Sequence, residues 1–282
     1  MLEVIRAGAL TTVQDLGRPG WAHLGVPRSG ALDAPALRLA NRLVGNPPFA
    51  AGLEITLTGC VLRLRSARTV AVTGAVGDIT VDGVAVGFGS PVSVPAGSVL
   101  SVGRARRGVR SYLAVNGGIA VPPVLGSRST DVLSGLGPLP LVDGMVLPLG
   151  VAAGSSTVES SDPPSGGPVS LRVRLGPRSD WFTPAAVEAL CGARYTVNPM
   201  SNRIGARLAG AALPRSIAGE LPSEGIVLGA VQVPPDGQPL VFLADHPTTG
   251  GYPVIGVVDA ADLPSLAQAR PGTTVLFHGP QQ

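Results

Sequence analysis

Glycine and proline interrupt this chain so often that it leaves room for few helices. The 282 residues include 39 glycines and 28 prolines, distributed between short apolar runs. Glycine weakens a helix interior and proline breaks it, whereas both are common in turns. Short apolar runs bounded by such residues are typical of β-strands. The pattern therefore predicts a mainly β protein.

Several stretches carry this strand pattern. The run 79–86 has Asp82-Gly83 at its centre, the residue pair most typical of a two-residue hairpin turn. Further strands are predicted at 54–58, 61–65, 91–94, 112–116, 171–175, 227–233 and 240–243. Many short strands with turn signals between them favour compact β-barrels or sandwiches.

Three short helices are expected. Asp33 is a suitable N-cap for a helix over 34–43, with Gly45 just beyond its end. Thr183-Pro184 predicts the start of a second helix, ended by Gly192. A third is expected to begin after Asp262 and to run through Gln268.

One segment lacks any periodicity. The serine-, glycine- and proline-rich residues 151–168 indicate a linker between two halves. The sequence thus predicts an N-terminal β domain over 1–150 and a C-terminal β-barrel domain over 169–282, both of ordinary domain size.

Composition excludes several classes of function. All 21 basic residues are arginine, so Schiff-base chemistry and a Walker-type phosphate loop are excluded. A net charge of +3 and 4% aromatic residues argue against nucleic-acid binding. The two cysteines and three histidines are scattered, without metal-ligand spacing. With no long apolar segment, the sequence predicts no membrane span and a cytoplasmic protein.

The first half offers two groups of candidate binding residues. Arg18 and Ser29 lie in neighbouring glycine-rich turns, which suit either an anion pocket or ordinary turn hydrogen bonding. Asn116 and Gly117 follow a strand and could form an oxyanion site, although a hairpin turn is favoured. Glu54 is a candidate general base, with an ion pair to arginine as the more ordinary role.

The second half carries more distinctive candidate site residues, which are polar groups at the ends of predicted strands or inside them. His246, followed by a proline, is expected in an exposed loop without a catalytic role. Together these residues predict a polar, glycine-lined cleft between two β domains, suited to a small anionic molecule. The candidate residues of this half are Ser201, Arg203, Glu224, Gln232, Asp245, Thr248, Thr249, Gly250 and Tyr252.

Ten short motifs, in order over nearly the whole chain, resemble one known family. They are TVQDLGRPG (12–20), GVPRSGALD (25–33), LANRLVGN (39–46), LE (53–54), VNGGI (115–119), LGSRSTD (125–131), SNRIGARL (201–208), SEG (223–225), VQVPPDGQP (231–239) and TTGGY (248–252). On these residues the chain resembles the biotin-dependent carboxyltransferase family, also called allophanate hydrolase subunit 2, whose bacterial members include one of the subunits of 5-oxoprolinase.

The resemblance implies two cyclophilin-like β-barrel domains with a few short helices, and a companion called subunit 1. In the 5-oxoprolinase system a third subunit joins, and the complex opens the lactam of 5-oxoproline to glutamate with ATP. In fused urea carboxylases the corresponding region helps to move a carboxyl group from carboxybiotin to urea. Other relatives are non-catalytic regulators that pair with a kinase-inhibitor-like protein. We expect the first function, with the second and third as alternatives.

Under lactam hydrolysis, Arg203 or Arg18 would hold the substrate carboxylate, and Glu54, Glu224 or Asp245 would direct water. Backbone groups near Gly117 or Gly250 would stabilise the oxyanion. Under carboxyl transfer, Gln232, Asn116 or Ser201 would bind the ureido ring of biotin. Since the chain has no lysine, biotin would then need a separate carrier.

Overall fold

A computed structural model describes residues 1–152, 166–219 and 221–279. The chain packs as two compact units. The first comprises Met1–Arg18, Ser29–Asp131 and Gly135–Gly166, and the second comprises Pro19–Arg28, Val132–Ser134 and Gly167–Gln282. The predicted linker at 151–168 falls largely on residues 153–165, which lie outside the described residues.

The first unit is built from short strands and one helix. They are β1 (Leu2–Arg6), β2 (Leu10–Gln14), α1 (Ala34–Leu43), β3 (Gly52–Thr56), β4 (Cys60–Leu64), β5 (Arg68–Val76), β6 (Ile79–Val81), β7 (Val84–Ala85), β8 (Val92–Val94), β9 (Val99–Val102), β10 (Arg107–Val115) and β11 (Val146–Leu147).

These strands form two antiparallel sheets. One has the order β11-β1-β4-β9-β6-β7 and the other β2-β3-β10-β5-β8. Side chains from both sheets share one apolar core, with Leu62 and Leu100 from the first and Leu53 and Leu113 from the second fully buried. Burying each such leucine stabilises the fold by about 1.5–3 kcal/mol.

Local sequence signals account for the turn and the helix of this unit. Asp82 and Gly83 both adopt positive φ, 50° and 81°, as the hairpin turn between β6 and β7 requires. The Asp33 Oδ1 accepts a hydrogen bond from the Ala36 N–H (3.1 Å), which caps α1. The helix ends before Gly45, whose φ is 74°. The predicted hairpin and the predicted helix are confirmed.

The second unit contains two helices and nine strands in its described residues. They are β12 (Val169–Leu175), α2 (Pro184–Gly192), β13 (Arg194–Val197), β14 (Gly205–Ala209), β15 (Glu224–Gly225), β16 (Ala230–Gln232), β17 (Leu240–Phe242), β18 (Thr249–Gly250), β19 (Val254–Val258), α3 (Leu263–Ala267) and β20 (Thr274–His278). Both helices begin where predicted, after Thr183 and Asp262, and α3 ends one residue before the expected Gln268.

Seven of these strands close a barrel in the order β12-β19-β16-β17-β14-β13-β20, and β15 pairs with β18 as a separate ribbon. The parallel pairing of β12 with β20 joins the first strand of this order to the last and so closes the barrel. The strand predicted at 227–233 is shorter than expected and begins at Ala230. Gly229 before it has a φ of 82° and approaches the backbone of Val258, so regular pairing starts only after it.

The prediction of a mainly β protein with a few short helices is confirmed, with 35% strand and 11% helix. Closure differs between the units: the described residues of the second form a closed barrel, whereas those of the first form two sheets. No helix in the described ranges is long and apolar enough to cross a bilayer.

Candidate functional site

The glycine-rich turns of the first unit are held by one buried carboxylate. Asp15 Oδ1 accepts hydrogen bonds from the Ser127 and Ser129 hydroxyls (both 2.6 Å) and from the Gly17 N–H (2.8 Å). Its Oδ2 accepts from the Arg128 N–H (2.6 Å). A carboxylate with this many donors orders the loop around it, so Asp15 closes the turn by ordinary turn hydrogen bonding.

Arg18 and Ser29 lie beside this loop. The buried Arg18 guanidinium donates to the carbonyl oxygens of Val124 (Nε, 3.3 Å) and Ser129. Ser29, at a φ of 55°, donates its hydroxyl to the Thr130 carbonyl (2.9 Å). A serine in the left-handed region is uncommon and marks a backbone held by its surroundings. Both residues therefore brace the same loop segment.

Glu54 sits in a buried network on the central strands of the second sheet. Its Oε2 accepts from the Tyr112 hydroxyl (2.8 Å) and from the Leu32 N–H (3.0 Å), and its Oε1 lies 3.6 Å from Arg110 Nε. The Tyr112 hydroxyl in turn accepts from the Asp33 N–H (2.8 Å). The ion pair that the sequence suggested for Glu54 is thus present. Burial and the Glu54 charge raise the pKa of Tyr112 well above its usual value.

Asn116 and Gly117 form a turn whose donors face the protein. The Gly117 N–H donates to Asn46 Oδ1 (2.8 Å) and the Gly118 N–H to the Val115 carbonyl (2.8 Å). The Asn116 side chain donates to the Val44 carbonyl (2.5 Å). This geometry supports the turn interpretation, because both glycine N–H groups are occupied.

Arg203 and Asp245 make a bidentate ion pair inside the second unit. Nε lies 2.8 Å from Oδ2 and one Nη 2.9 Å from Oδ1, and both side chains are at most 1% exposed. The Val132 N–H also donates to Asp245 Oδ2 (3.1 Å). The pair uses one full edge of the guanidinium of Arg203, which the sequence-based hypothesis offered, as an alternative to Arg18, for holding a substrate carboxylate.

The expectation that His246 lies exposed is wrong. Its side chain is buried, its ring lies 6.1 Å from that of Phe242, and its Nδ1 is 2.7 Å from the Pro247 carbonyl oxygen. Because Asp245 is held in the interior by Arg203, the next residue is placed beside the strand β17 instead of in solvent.

A second group of candidates comes together around Gln232. In the β15–β18 ribbon, Glu224 pairs with Gly250. A Cβ on Gly250 would lie 2.8 Å from Gln232 Nε2, so a larger residue here would displace the Gln232 side chain. Gln232 Nε2 donates to the Tyr252 carbonyl oxygen (3.0 Å). Gln232, Glu224, Gly250 and Tyr252, predicted from separate motifs, are therefore neighbours.

Two arginines that the sequence did not single out complete this group. Arg178 is bidentate to Glu224, with Nε 3.0 Å from Oε2. Arg215 lies with its Cζ 5.7 Å from the centroid of the Tyr252 ring. No local motif marks either residue, since the residues that they contact here lie 18 or more positions away. We call Arg178, Arg215, Glu224, Gln232, Gly250 and Tyr252 the Gln232 cluster.

The remaining candidates have local roles. Ser201 accepts a hydrogen bond from the Arg207 N–H (3.0 Å) and so closes its own loop. The Thr248 carbonyl accepts from the Ile226 N–H (2.9 Å) and extends the ribbon, whereas Thr249 is exposed opposite Gly225. Only Thr249 of these three presents its side chain to solvent beside the Gln232 cluster.

The hydrogen bonds from Arg178 hold the pKa of Glu224 below its usual value, against a smaller opposing effect of desolvation. Replacement of Arg178 by glutamine is expected to raise the pKa of Glu224 towards that of an ordinary glutamate. In the wild type the Glu224 carboxylate becomes protonated only as pH falls through this lowered pKa. The stability that its pair with Arg178 contributes is lost over the same pH range. A ¹³C NMR titration of the carboxyl measures the shift. Arg174→Gln, on the outside of β12, is the matched control, and an unchanged pKa in Arg178→Gln would contradict the assignment.

Comparison with known proteins identifies the family of this chain. Residues 24–279 match the family model of the carboxyltransferase domain, subdomains A and B. The chain is 42% identical to a 5-oxoprolinase subunit of Escherichia coli over 98% of its own length and 90% of that protein. It is 34% identical to urea amidolyase of Saccharomyces cerevisiae, over 98% of this chain and 16% of that protein.

A solved structure shows the same fold. The urea carboxylase of Kluyveromyces lactis superimposes with a TM-score of 0.90 and 32% identity, over 99% of this chain and 27% of that one. This chain thus spans about a quarter of that carboxylase. With the family model matching most of its length and relatives above 30% identity, the chain belongs to the carboxyltransferase domain family.

Proposed function

We propose that this chain is part of an ATP-dependent 5-oxoprolinase that opens the lactam of 5-oxoproline to glutamate. The observation that carries the proposal is the 42% identity to the 5-oxoprolinase subunit of Escherichia coli across 90% of that protein's length. Identity to the urea amidolyase of Saccharomyces cerevisiae is lower, at 34%. In this proposal the chain works with a subunit 1 companion and a third subunit.

The Gln232 cluster suits a small lactam. 5-Oxoproline offers an amide N–H, an amide carbonyl oxygen and a carboxylate. Gln232 donates through Nε2 to the Tyr252 carbonyl, and its Oε1 accepts no hydrogen bond within the described parts of the chain. That oxygen is therefore suited to accept the lactam N–H and to orient the ring. The side-chain amide, anchored at one end, thus presents its other end to a substrate amide.

Among the three carboxylates considered for directing water, Glu224 is the best placed. Glu54 and Asp245 are both at most 1% exposed. Glu224 is only partly buried, lies opposite Gly250 and remains ionised through its hydrogen bonds with Arg178. An ionised carboxylate in this position orients an attacking water rather than taking up a proton at neutral pH. We assign ATP hydrolysis to the complex as a whole and not to a named residue.

Carboxyl transfer from a biotin carrier is the second candidate function. The agreement in fold with the urea carboxylase of Kluyveromyces lactis, at a TM-score of 0.90, favours it. The same glutamine amide would then bind the ureido ring of biotin. Since this chain has no lysine, the biotin would be carried on another protein.

Reconstitution tests the first function. The chain is mixed with its subunit 1 companion and the third subunit, and glutamate is measured after addition of 5-oxoproline and ATP. We expect glutamate only when the chain and ATP are both present. A complex that assembles tightly but releases no glutamate would contradict the proposal and would favour a regulatory protein instead.

A further inference from the structure

Four places in the chain join an aspartate or asparagine to a glycine, a pairing that is prone to spontaneous rearrangement. At such a bond the glycine nitrogen attacks the side-chain carbonyl carbon of the preceding residue and closes a five-membered succinimide. Because glycine has no side chain, its nitrogen reaches this carbon more easily than that of any other residue. The four pairs are Asp82-Gly83, Asn116-Gly117, Asp143-Gly144 and Asp236-Gly237.

In three of the four pairs the attacking nitrogen is held by a hydrogen bond. The N–H groups of Gly144 and Gly237 donate to main-chain carbonyl oxygens, at 2.8 and 3.0 Å, and that of Gly117 to a side-chain oxygen at 2.8 Å. The buried Asn116 is itself anchored, since its Nδ2 donates to the Val44 carbonyl oxygen (2.5 Å). An amide held in this way must release its acceptor before it can turn towards the side chain.

Gly83 differs from these three glycines. Its N–H has no acceptor within the described residues, and a Cβ placed on it would meet no atom within 4 Å. Asp82 and Gly83 are both exposed, at the tip of the hairpin between β6 and β7. The attacking nitrogen of this pair is therefore the one that no hydrogen bond restrains.

The carboxyl groups distinguish the three aspartates less. Each accepts one main-chain N–H on Oδ1, at 2.8 Å for Asp82 and Asp143 and at 3.0 Å for Asp236. At Asp82 the Val99 N–H and, to a smaller extent, the Ser98 hydroxyl hold the pKa of the carboxyl below its usual value. Since the carboxyl hydroxyl leaves only from the protonated form, the reaction at Asp82 is slow.

We propose that Asp82 rearranges spontaneously to isoaspartate and is the preferred site of this modification in the native chain. A bond forms between the Gly83 nitrogen and Asp82 Cγ, while the amide proton and the carboxyl hydroxyl leave as one water. Water then adds to either carbonyl group of the succinimide. Cleavage at Cγ restores aspartate, whereas cleavage at the original main-chain carbon leaves Gly83 joined to Cγ, with one extra methylene in the backbone.

The experiment incubates the full chain at mildly acidic pH, folded in one sample and unfolded in urea in another. Peptide mapping with electron-transfer fragmentation, which distinguishes isoaspartate from aspartate, gives the rate at each pair. The ratio of folded to unfolded rate removes the intrinsic difference between amide and carboxyl. We expect this ratio to be about 2- to 10-fold higher at Asp82 than at Asp143, Asp236 or Asn116, as for an N–H that need not break a hydrogen bond.

A ratio at Asp82 no higher than at the other three pairs would overturn the proposal. So would a folded chain that forms no isoaspartate at Asp82 while the unfolded chain does. Asp82→Glu is the matched control, because a glutamate would have to close a six-membered ring. This variant should lose the isoaspartate of the hairpin and keep the rates of the other pairs, and a signal that persists in it would also overturn the assignment.

Discussion

Replacing Arg203 with alanine is expected to destabilise the second unit by about 3–5 kcal/mol, because it leaves the carboxylate of Asp245 buried without its charged partner. The pair is bidentate and almost fully shielded from water, so the lost interaction is not compensated by solvent. Chemical denaturation of the variant should show this as a lower midpoint with a similar slope.

A surface pair provides the control. Arg172 and Asp262 are also bidentate, but Arg172 is 58% exposed, so water screens the pair and Arg172→Ala is expected to lower the denaturation midpoint far less than Arg203→Ala. The double variant Arg203→Met/Asp245→Leu should recover much of the loss, since an apolar pair leaves no buried charge. An Arg203→Ala protein as stable as the wild type would contradict this account. The single variant therefore tests folding before it tests substrate binding.

Replacing Glu54 with alanine is expected to have a comparable effect on the first unit, about 3–5 kcal/mol, by removing the acceptor of the buried Arg110 and Tyr112 side chains. Glu54→Gln keeps an acceptor and should cost less. Glu54→Gln should also lower the pKa of Tyr112, because it removes a nearby negative charge. That pKa should still stay above its usual value, because burial is the larger cause of its increase.

Glu3 is the control carboxylate in the same unit. It pairs with Arg63 and Arg65 at the surface, and Glu3→Ala is expected to change the free energy of unfolding by at most about 1 kcal/mol. Thermal or urea unfolding measures both variants. If Glu54→Ala unfolds like the wild type but abolishes glutamate release by the complex, Glu54 is a catalytic residue and its structural role is disproved.

Elements specified by neighbouring residues could be predicted from the sequence. The helix α1 has the predicted bounds because its cap, Asp33, and the glycine beyond its end are local signals. The hairpin at Asp82-Gly83 follows in the same way from two residues that tolerate positive φ. Closure of the barrel depends on the parallel pairing of β12 and β20, about 100 residues apart, which no local pattern encodes.

The candidate site was only partly predictable for the same reason. Gln232 and Gly250 stand out as a polar residue in an apolar strand and as part of a double glycine. Their partners Arg178 and Arg215 carry no such mark, since an arginine in a loop resembles any other surface arginine. His246 was misplaced because its position depends on the Arg203–Asp245 pair, a contact between residues 42 positions apart.

The choice between lactam hydrolysis and carboxyl transfer can be measured most directly in one reconstituted complex. Glutamate release from 5-oxoproline and incorporation of labelled bicarbonate into urea are followed in parallel, with and without avidin to sequester biotin. We predict ATP-dependent release of glutamate that avidin does not inhibit, and no label in urea. Carboxylation of urea that avidin abolishes, without glutamate release, would contradict the account.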